Sequence, residues 1–219
     1  ARAMVDEGEI KFSAEHNNQR LRISEVGDRF PILCAWRELL RKTEMVGRCN
    51  DRYGGAGFGN LSMRLNPPAS GMGRRRFLIT GTQTGGVEKL GLEHFCVVTQ
   101  YDLANNRVHS LGQSLPSSES LTHGAIYDLT PQIRFVFHGH SPLIWNAARK
   151  LRLPTTDAKV AYGTQEMAWE VQRLYRNGHL PERRVLAMAG HEDGIVAFGH
   201  TAEETGSALL AEWTRAYSL

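Results

Sequence analysis

His138-Gly139-His140 closes the apolar run Ile133-Arg134-Phe135-Val136-Phe137. In an extended strand, residues two apart point the same way, so the two imidazoles would share one face while Phe135 and Phe137 continue the other face into a core. Two imidazoles on one sheet face could supply part of a metal site but do not make one. Taken alone, they are equally strand-end histidines hydrogen-bonded locally. A third, His191, lies in Ala189-Gly190-His191-Glu192-Asp193-Gly194, between two segments that read as strands. Three imidazoles and an open position have the composition of a catalytic zinc centre. Glu119 follows Ser117 and Ser118 and opens a predicted helix, where the helix dipole stabilises a carboxylate. A plain helix-start acid and a general acid/base beside a metal both fit that placement.

The same helix start could hold an anion. The hydroxyls of Ser117 and Ser118, with the backbone amides of the loops at Gly59-Asn60 and Thr84-Gly85, are donor-rich groups suited to phosphate. Neither GxxxxGK[ST] nor a GxGxxG between a strand and a helix is present, so nucleotide binding has little support.

These residues need elements to carry them. Pro31 starts a predicted helix in which Ile32, Leu33, Trp36, Leu39 and Leu40 recur at helical spacing through Glu44, with Gly47 beyond its end. A glycine-rich loop, 54–59, leads into a strand at 60–65. Phe77 to Thr80 is a strand running into the loop Gly81-Thr82-Gln83-Thr84-Gly85-Gly86. Strands at Cys96 to Tyr101 and Arg107 to Ser110 flank a turn at Ala104-Asn105-Asn106. Ser117 and Ser118 are expected to cap a helix over Glu119 to Leu129, which Pro131 stops. After the His-Gly-His strand come helices at Pro142 to Leu151 and Gly163 to Asn177. A strand at Arg184 to Ala189, its hairpin partner at Gly194 to Phe198 and a helix at Thr201 to Tyr217 follow. Helices between hairpin-like strand pairs predict a largely antiparallel or mixed sheet covered by helices. Trp36, Trp145, Trp169 and Trp213 are expected in the core.

Composition excludes more than it assigns. With 219 residues, 41% apolar and 22% charged, the chain has ample material for one core, and no linker or repeat divides it. Residues 1–24 read as a polar, loosely held N-terminal segment, and 25–219 as a single domain. A net charge of +3 with interspersed signs is too weak to argue for nucleic acid. The one basic run, Arg74-Arg75-Arg76, reads as a solvated hairpin turn rather than a phosphate or nucleic-acid patch. Three widely spaced cysteines without a CxxC pair are expected as reduced thiols of a cytoplasmic protein. No apolar run approaches the roughly 20 residues of a membrane span, and no signal-peptide core is evident, so no membrane partner is expected.

Five segments occur here in an order that resembles the class II aldolase/adducin family: Gly59-Asn60-Leu61-Ser62, Ile79-Thr80-Gly81-Thr82-Gln83-Thr84-Gly85, Pro116-Ser117-Ser118-Glu119, His138-Gly139-His140 and Gly190-His191. The resemblance covers roughly Phe30 to Tyr217. It implies a three-layer α/β/α sandwich with a mainly antiparallel central sheet, a homotetramer, and one divalent metal, usually Zn2+, at subunit borders. It also implies His138, His140 and His191 as metal ligands and Glu119 as the acid/base. Asn60, Thr84, Gly85, Ser117 and Ser118 would cradle a substrate phosphate, with Ser62 supporting the Asn60 loop. The implied activity is reversible aldol cleavage of a small sugar phosphate through a metal-stabilised enediolate. Glutamate at position 119 resembles the aldolases, whereas the epimerases of the family carry aspartate there. An epimerase, dehydratase or decarboxylase on the same site is the nearby alternative, and a non-catalytic adducin-like interaction module the more distant one.

Three features depart from the family pattern. Residues 151–157 replace a longer stretch that holds an acid tyrosine in the fuculose-phosphate enzyme, which leaves Tyr217, or else Tyr162, as the candidate acid, with plain packing as the alternative for each. Glu192 and Asp193 are inserted after His191 and are expected in solvent. Gln83 widens the loop before Thr84. His123, one helical turn after Glu119, is expected to be a packing residue or to support a ligand.

Overall fold

The computed structural model describes residues 8–219. Its strands are β1 (Ser13–Asn18), β2 (Gly47–Arg48), β3 (Gly57–Phe58), β4 (Asn60–Arg64), β5 (Phe77–Thr80), β6 (Phe95–Asp102), β7 (Arg107–Gly112), β8 (Phe135–His140), β9 (Val185–Ala187) and β10 (Gly194–Gly199). Its helices are α1 (Ile23–Val26), α2 (Phe30–Lys42), α3 (Ser120–Leu129), α4 (Pro142–Leu151), α5 (Gln165–Asn177), α6 (Leu180–Arg183) and α7 (Ala202–Tyr217). Eight strands form one sheet in the order β1-β7-β6-β5-β4-β8-β10-β9, and β2 and β3 make a separate small ribbon. Every pairing in the large sheet is antiparallel except that of β1 with β7.

Strand periodicity sorts the core into two layers. On one face Leu61, Met63, Leu78, Val97, Phe135, Phe137, Ile195 and Ala197 pack with Leu33 and Leu40 of α2, Ile144 of α4 and Leu209 of α7. On the other, Phe77, Ile79, Cys96, Val98, Val136, Val196 and Phe198 pack with Leu121 and Ile126 of α3 and Met167 and Val171 of α5. Each fully buried side chain of this kind contributes about 1.5–3 kcal/mol. The result is the expected three-layer α/β/α arrangement. Phe135 and Phe137 face α2 and α7, so His138 and His140, of opposite parity, face α3.

Residues 1–7 of the expected N-terminal segment lie outside the described residues, and the part that follows is held in place. Ser13–Asn18 is an edge strand, tied register by register to Arg107–Gly112, with Phe12 and Leu21 buried at either end. Its own side chains are nearly all exposed, so backbone pairing holds it and no apolar alternation announces it. Two helix starts also shift. Glu119, not a serine, occupies the N-cap position of α3, and α5 begins at Gln165 with the Thr164 hydroxyl accepting from the Met167 amide. Trp169 is 48% exposed because Met167, Ala168 and Val171 take the inward face of α5; Trp36, Trp145 and Trp213 lie against the core as expected. The Arg74–Arg76 turn is only partly solvated, since Arg75 donates to the carbonyls of Ser70 and Tyr127. No helix among the described residues is long and apolar enough to cross a membrane.

Candidate metal centre

β8 and β10 bring the histidines together. His138 pairs with Val196 and His140 with Gly194 across the antiparallel register, and the turn before β10 folds His191 back over both. That turn needs a glycine beside the histidine: a Cβ on Gly190 would lie 2.2 Å from the Val160 carbonyl oxygen. One nitrogen from each of His138, His140 and His191 falls within 4.8 Å of the others, and all three residues are buried. Ring centroids are 4.7–5.2 Å apart.

The protonation states suit a cation. His138 Nδ1 lies 3.0 Å from the Ile195 carbonyl oxygen, an acceptor, so the ring proton is on Nδ1 and the Nε2 lone pair faces the cluster. Nε2 itself is buried with no hydrogen-bond partner among the described residues. Burial, reinforced by the neighbouring imidazoles, holds His138 and His140 well below the usual histidine range, in the neutral form that ligates metals. A shared cation needs nitrogens about 3.4 Å apart for ~2.1 Å bonds in tetrahedral geometry, and the three nitrogens lie within 4.8 Å of one another. The donor set therefore fits a divalent metal.

Glu119 joins the cluster from the N-cap of α3. It is 2% exposed, and its Oε1 lies 3.3 Å from His191 Nδ1 and 3.8 Å from His138 Nε2. The turn that carries it is tightly bonded: the Glu119 amide donates to Ser117 Oγ, and the Ser120 hydroxyl donates to the Ser117 carbonyl. Ser117 and Ser118 are both buried at this turn.

The remaining expected residues divide. Asn60 sits directly across from His138 in the β4–β8 register, its Oδ1 2.6 Å from His123 Nε2. Ser62 is fully buried, and its hydroxyl bonds His123 Nδ1 and the Tyr127 hydroxyl, so it underpins Asn60 instead of lining a cradle. The Thr84 hydroxyl donates to the Gly81 carbonyl, and Gly85 packs so closely under β2 that a Cβ there would meet the Gly47 carbonyl oxygen at 2.3 Å. Gln83 adopts φ +57° and accepts the Gly57 amide. Tyr217 is 70% exposed at the end of α7, its ring against Trp213 and away from the histidines. Tyr162 is buried and stacks on His191 with centroids 4.4 Å apart.

Four contributors were not anticipated. Tyr53 packs its ring on His140 at 4.6 Å and donates its hydroxyl to Asp193. Asp193 is consequently buried, against the expectation of solvent, whereas Glu192 is exposed. Arg37, 2% exposed, donates to the carbonyls of Thr84, Gly85 and Glu88 and fixes that loop. Lys11 lies over the Tyr162 ring, and the Glu9 amide donates to the Tyr162 hydroxyl, so the N-terminal segment passes along the His191 side of the centre. Only Tyr53, an aromatic residue at the start of the glycine-rich loop, offered a signal beforehand.

Residues 49–211, most of the chain, match the model of the Class II Aldolase and Adducin N-terminal domain. The chain belongs to the class II aldolase and adducin family. No curated protein matches. Among solved structures, a sugar-phosphate aldolase from Thermotoga maritima aligns over 85% of this chain and 91% of its own, at 16% identity and TM-score 0.63. L-fuculose-1-phosphate aldolase from Thermus thermophilus aligns over 86% and 95%, at 19% identity and TM-score 0.55. YgbL from Escherichia coli aligns over 86% of both chains, at 18% identity and TM-score 0.61. At these identities the likeness to the solved structures is one of fold.

Proposed function

We propose that this chain is a metal-dependent lyase that reversibly cleaves a small ketose 1-phosphate, with His138, His140 and His191 holding Zn2+ or another divalent metal. The observation that carries the reading is the convergence of three buried imidazoles and one buried carboxylate, Glu119, at a single point. A non-catalytic adducin-like module has no need of that carboxylate beside the histidines. Family membership gives an aldolase, epimerase or decarboxylase type of chemistry, and glutamate rather than aspartate at 119 favours the aldolase.

A cation bound there supplies Lewis acidity to the carbonyl and hydroxyl oxygens of the substrate. Glu119 delivers a proton to the substrate carbon released from the broken bond and withdraws it in the condensation direction. Its rigid seat on the α3 N-cap keeps the carboxylate within reach of that carbon without reorganisation. Asn60, Thr84, Gly85, Ser117 and Ser118 provide the phosphate cradle around the pocket, and Ser62 supports it. The cleft adjoining Gly85 and Gly86 carries Arg48 and Arg52 beside Glu44, with Arg41 paired to Glu38, which leaves a net positive charge suited to a phosphate. Tyr217, exposed on α7, serves from a neighbouring subunit of a homotetramer as the group that receives the hydroxyl proton as the aldehyde forms in cleavage and returns it to the aldehyde oxygen in condensation. We place the enzyme in the cytoplasm, in carbohydrate metabolism.

The test is incubation of zinc-loaded protein with a panel of ketose 1-phosphates, following release of dihydroxyacetone phosphate and aldehyde. Cleavage by wild type, lost in Glu119→Gln at unchanged metal content, is expected. A panel with no cleavage product, or a Glu119→Gln variant as fast as wild type, sinks the lyase assignment.

A further inference from the structure

Alternate residues of β4 that face α3 are polar and buried: Asn60, Ser62 and Arg64. From its N-cap, α3 turns Glu119, His123 and Tyr127 toward them, each four residues from the next. Polar atoms in such a place must find partners. Four of these side chains do so as one continuous chain. Asn60 Oδ1 lies 2.6 Å from His123 Nε2, His123 Nδ1 lies 2.6 Å from Ser62 Oγ, and Ser62 Oγ lies 2.7 Å from the Tyr127 hydroxyl.

Each link considered singly could run in either direction, and the far end decides which. Among the described residues the Tyr127 hydroxyl has one hydrogen-bond partner, Ser62 Oγ, so Ser62 is the acceptor within its reach. The phenolic hydrogen therefore goes to Ser62. Ser62 in turn gives its hydrogen to His123 Nδ1, and the single imidazole proton is left on Nε2, where it is donated to Asn60 Oδ1. Burial keeps the ring neutral, its pKa pushed down to about 3, so it carries one proton and one lone pair.

We propose that Tyr127, Ser62 and His123 form a positioning relay that holds the Asn60 carboxamide with its oxygen inward and its NH2 toward the pocket, so that this position selects an acceptor oxygen of a phosphate. The proposal rests on the reading of Asn60 as part of the anion cradle. If the ring took the other tautomer, the amide would turn over and present a carbonyl to the anion, replacing attraction by repulsion. A hydrogen bond to a charged group corresponds to roughly tenfold or more in affinity. His123 acts through Asn60 and touches no substrate.

Two measurements on zinc-loaded protein test it: the ring nitrogen resonances of His123 by 15N NMR, and the affinity for inorganic phosphate. Wild type is expected to show the Nε2–H tautomer. Ser62→Ala and Tyr127→Phe are expected to shift His123 toward the other tautomer and weaken phosphate about tenfold, with zinc stoichiometry unchanged. A wild-type ring protonated on Nδ1 overturns the relay. Phosphate affinity lost in Asn60→Ala but retained in both Ser62→Ala and Tyr127→Phe overturns the relay while leaving the cradle standing. Wild-type affinity in Asn60→Ala overturns the cradle, and with it the relay as a selectivity device. Should Ser62→Ala fail to fold, the wild-type tautomer and Tyr127→Phe decide the matter.

Discussion

The hydroxyl of Tyr53 donates to Asp193 Oδ2 at 2.5 Å, joining parts of the chain 140 residues apart. The bond fastens the glycine-rich loop to the turn that carries His191, with the Tyr53 ring wedged on His140 between them. Burial and the Asp193 carboxylate push the phenol's pKa upward, so Tyr53 stays protonated and acts as a donor. Tyr53→Phe leaves Asp193 buried without this donor and should cost about 1–3 kcal/mol of stability. Denaturant melts measure that loss, and faster zinc release to a chelator should accompany it, since two of the three histidine positions lose a brace.

Replacing a ligand acts more directly. His140→Ala should abolish stoichiometric zinc, read by elemental analysis, because two imidazoles cannot close the site. Wild-type protein should melt at higher temperature with zinc than with chelator, the difference being about 2.7 kcal/mol at a hundredfold excess over the dissociation constant. His140→Ala should show no such difference. Equal zinc in wild type and His140→Ala would remove the metal assignment.

What the sequence revealed of this site follows from period and proximity. The shared face of His138 and His140 was readable because a strand alternates with period two, and Phe135 and Phe137 set the parity. Glu119 was readable because two serines before a helical pattern mark its start. Arg37 was not, since one arginine in an amphipathic helix reads as solvent-facing, and its three carbonyl partners lie 47 to 51 residues away. Asp193 misled for a similar reason: two acids in a tight turn look solvated until Tyr53 arrives from elsewhere in the chain. β1 stayed hidden because its hold on β7 is made by backbone, which leaves no pattern in side chains.

His123 makes stability pH-dependent with a definite sign. Its folded pKa of about 3 lies below the reference 6.5, so between these values the unfolded chain binds the extra proton. Stability from this group is complete above 6.5 and is lost as pH falls, by up to about 1.4 kcal/mol per pH unit. His123→Gln lacks the titration. The difference in unfolding free energy between wild type and His123→Gln should therefore shrink on acidification from pH 7 toward 4, which chemical denaturation at a series of pH values would follow. A difference that stays constant or grows over that range contradicts a neutral buried ring.

Arg37 offers the clearest separation of the proposed anion cradle from the proposed metal ligands. Its guanidinium enters from α2 and donates to Thr84, Gly85 and Glu88 carbonyls, holding that loop beneath the β2–β3 ribbon. Burial lowers its pKa without neutralising it, so a charged group satisfied by three carbonyl dipoles occupies the interior. Arg37→Met keeps the length and apolar stem but strands those carbonyls, at a net cost of about 2–4 kcal/mol once the avoided burial of a charge is counted. The loop, no longer fixed, should drift from Gly47 and weaken inorganic phosphate binding several-fold. The histidines stand on β8 and on the turn before β10, which Arg37 does not touch, so zinc stoichiometry should match that of wild type. Loss of phosphate binding at full zinc occupancy is the expected pattern; loss of zinc together with phosphate would show that the two halves of the pocket are held by one support.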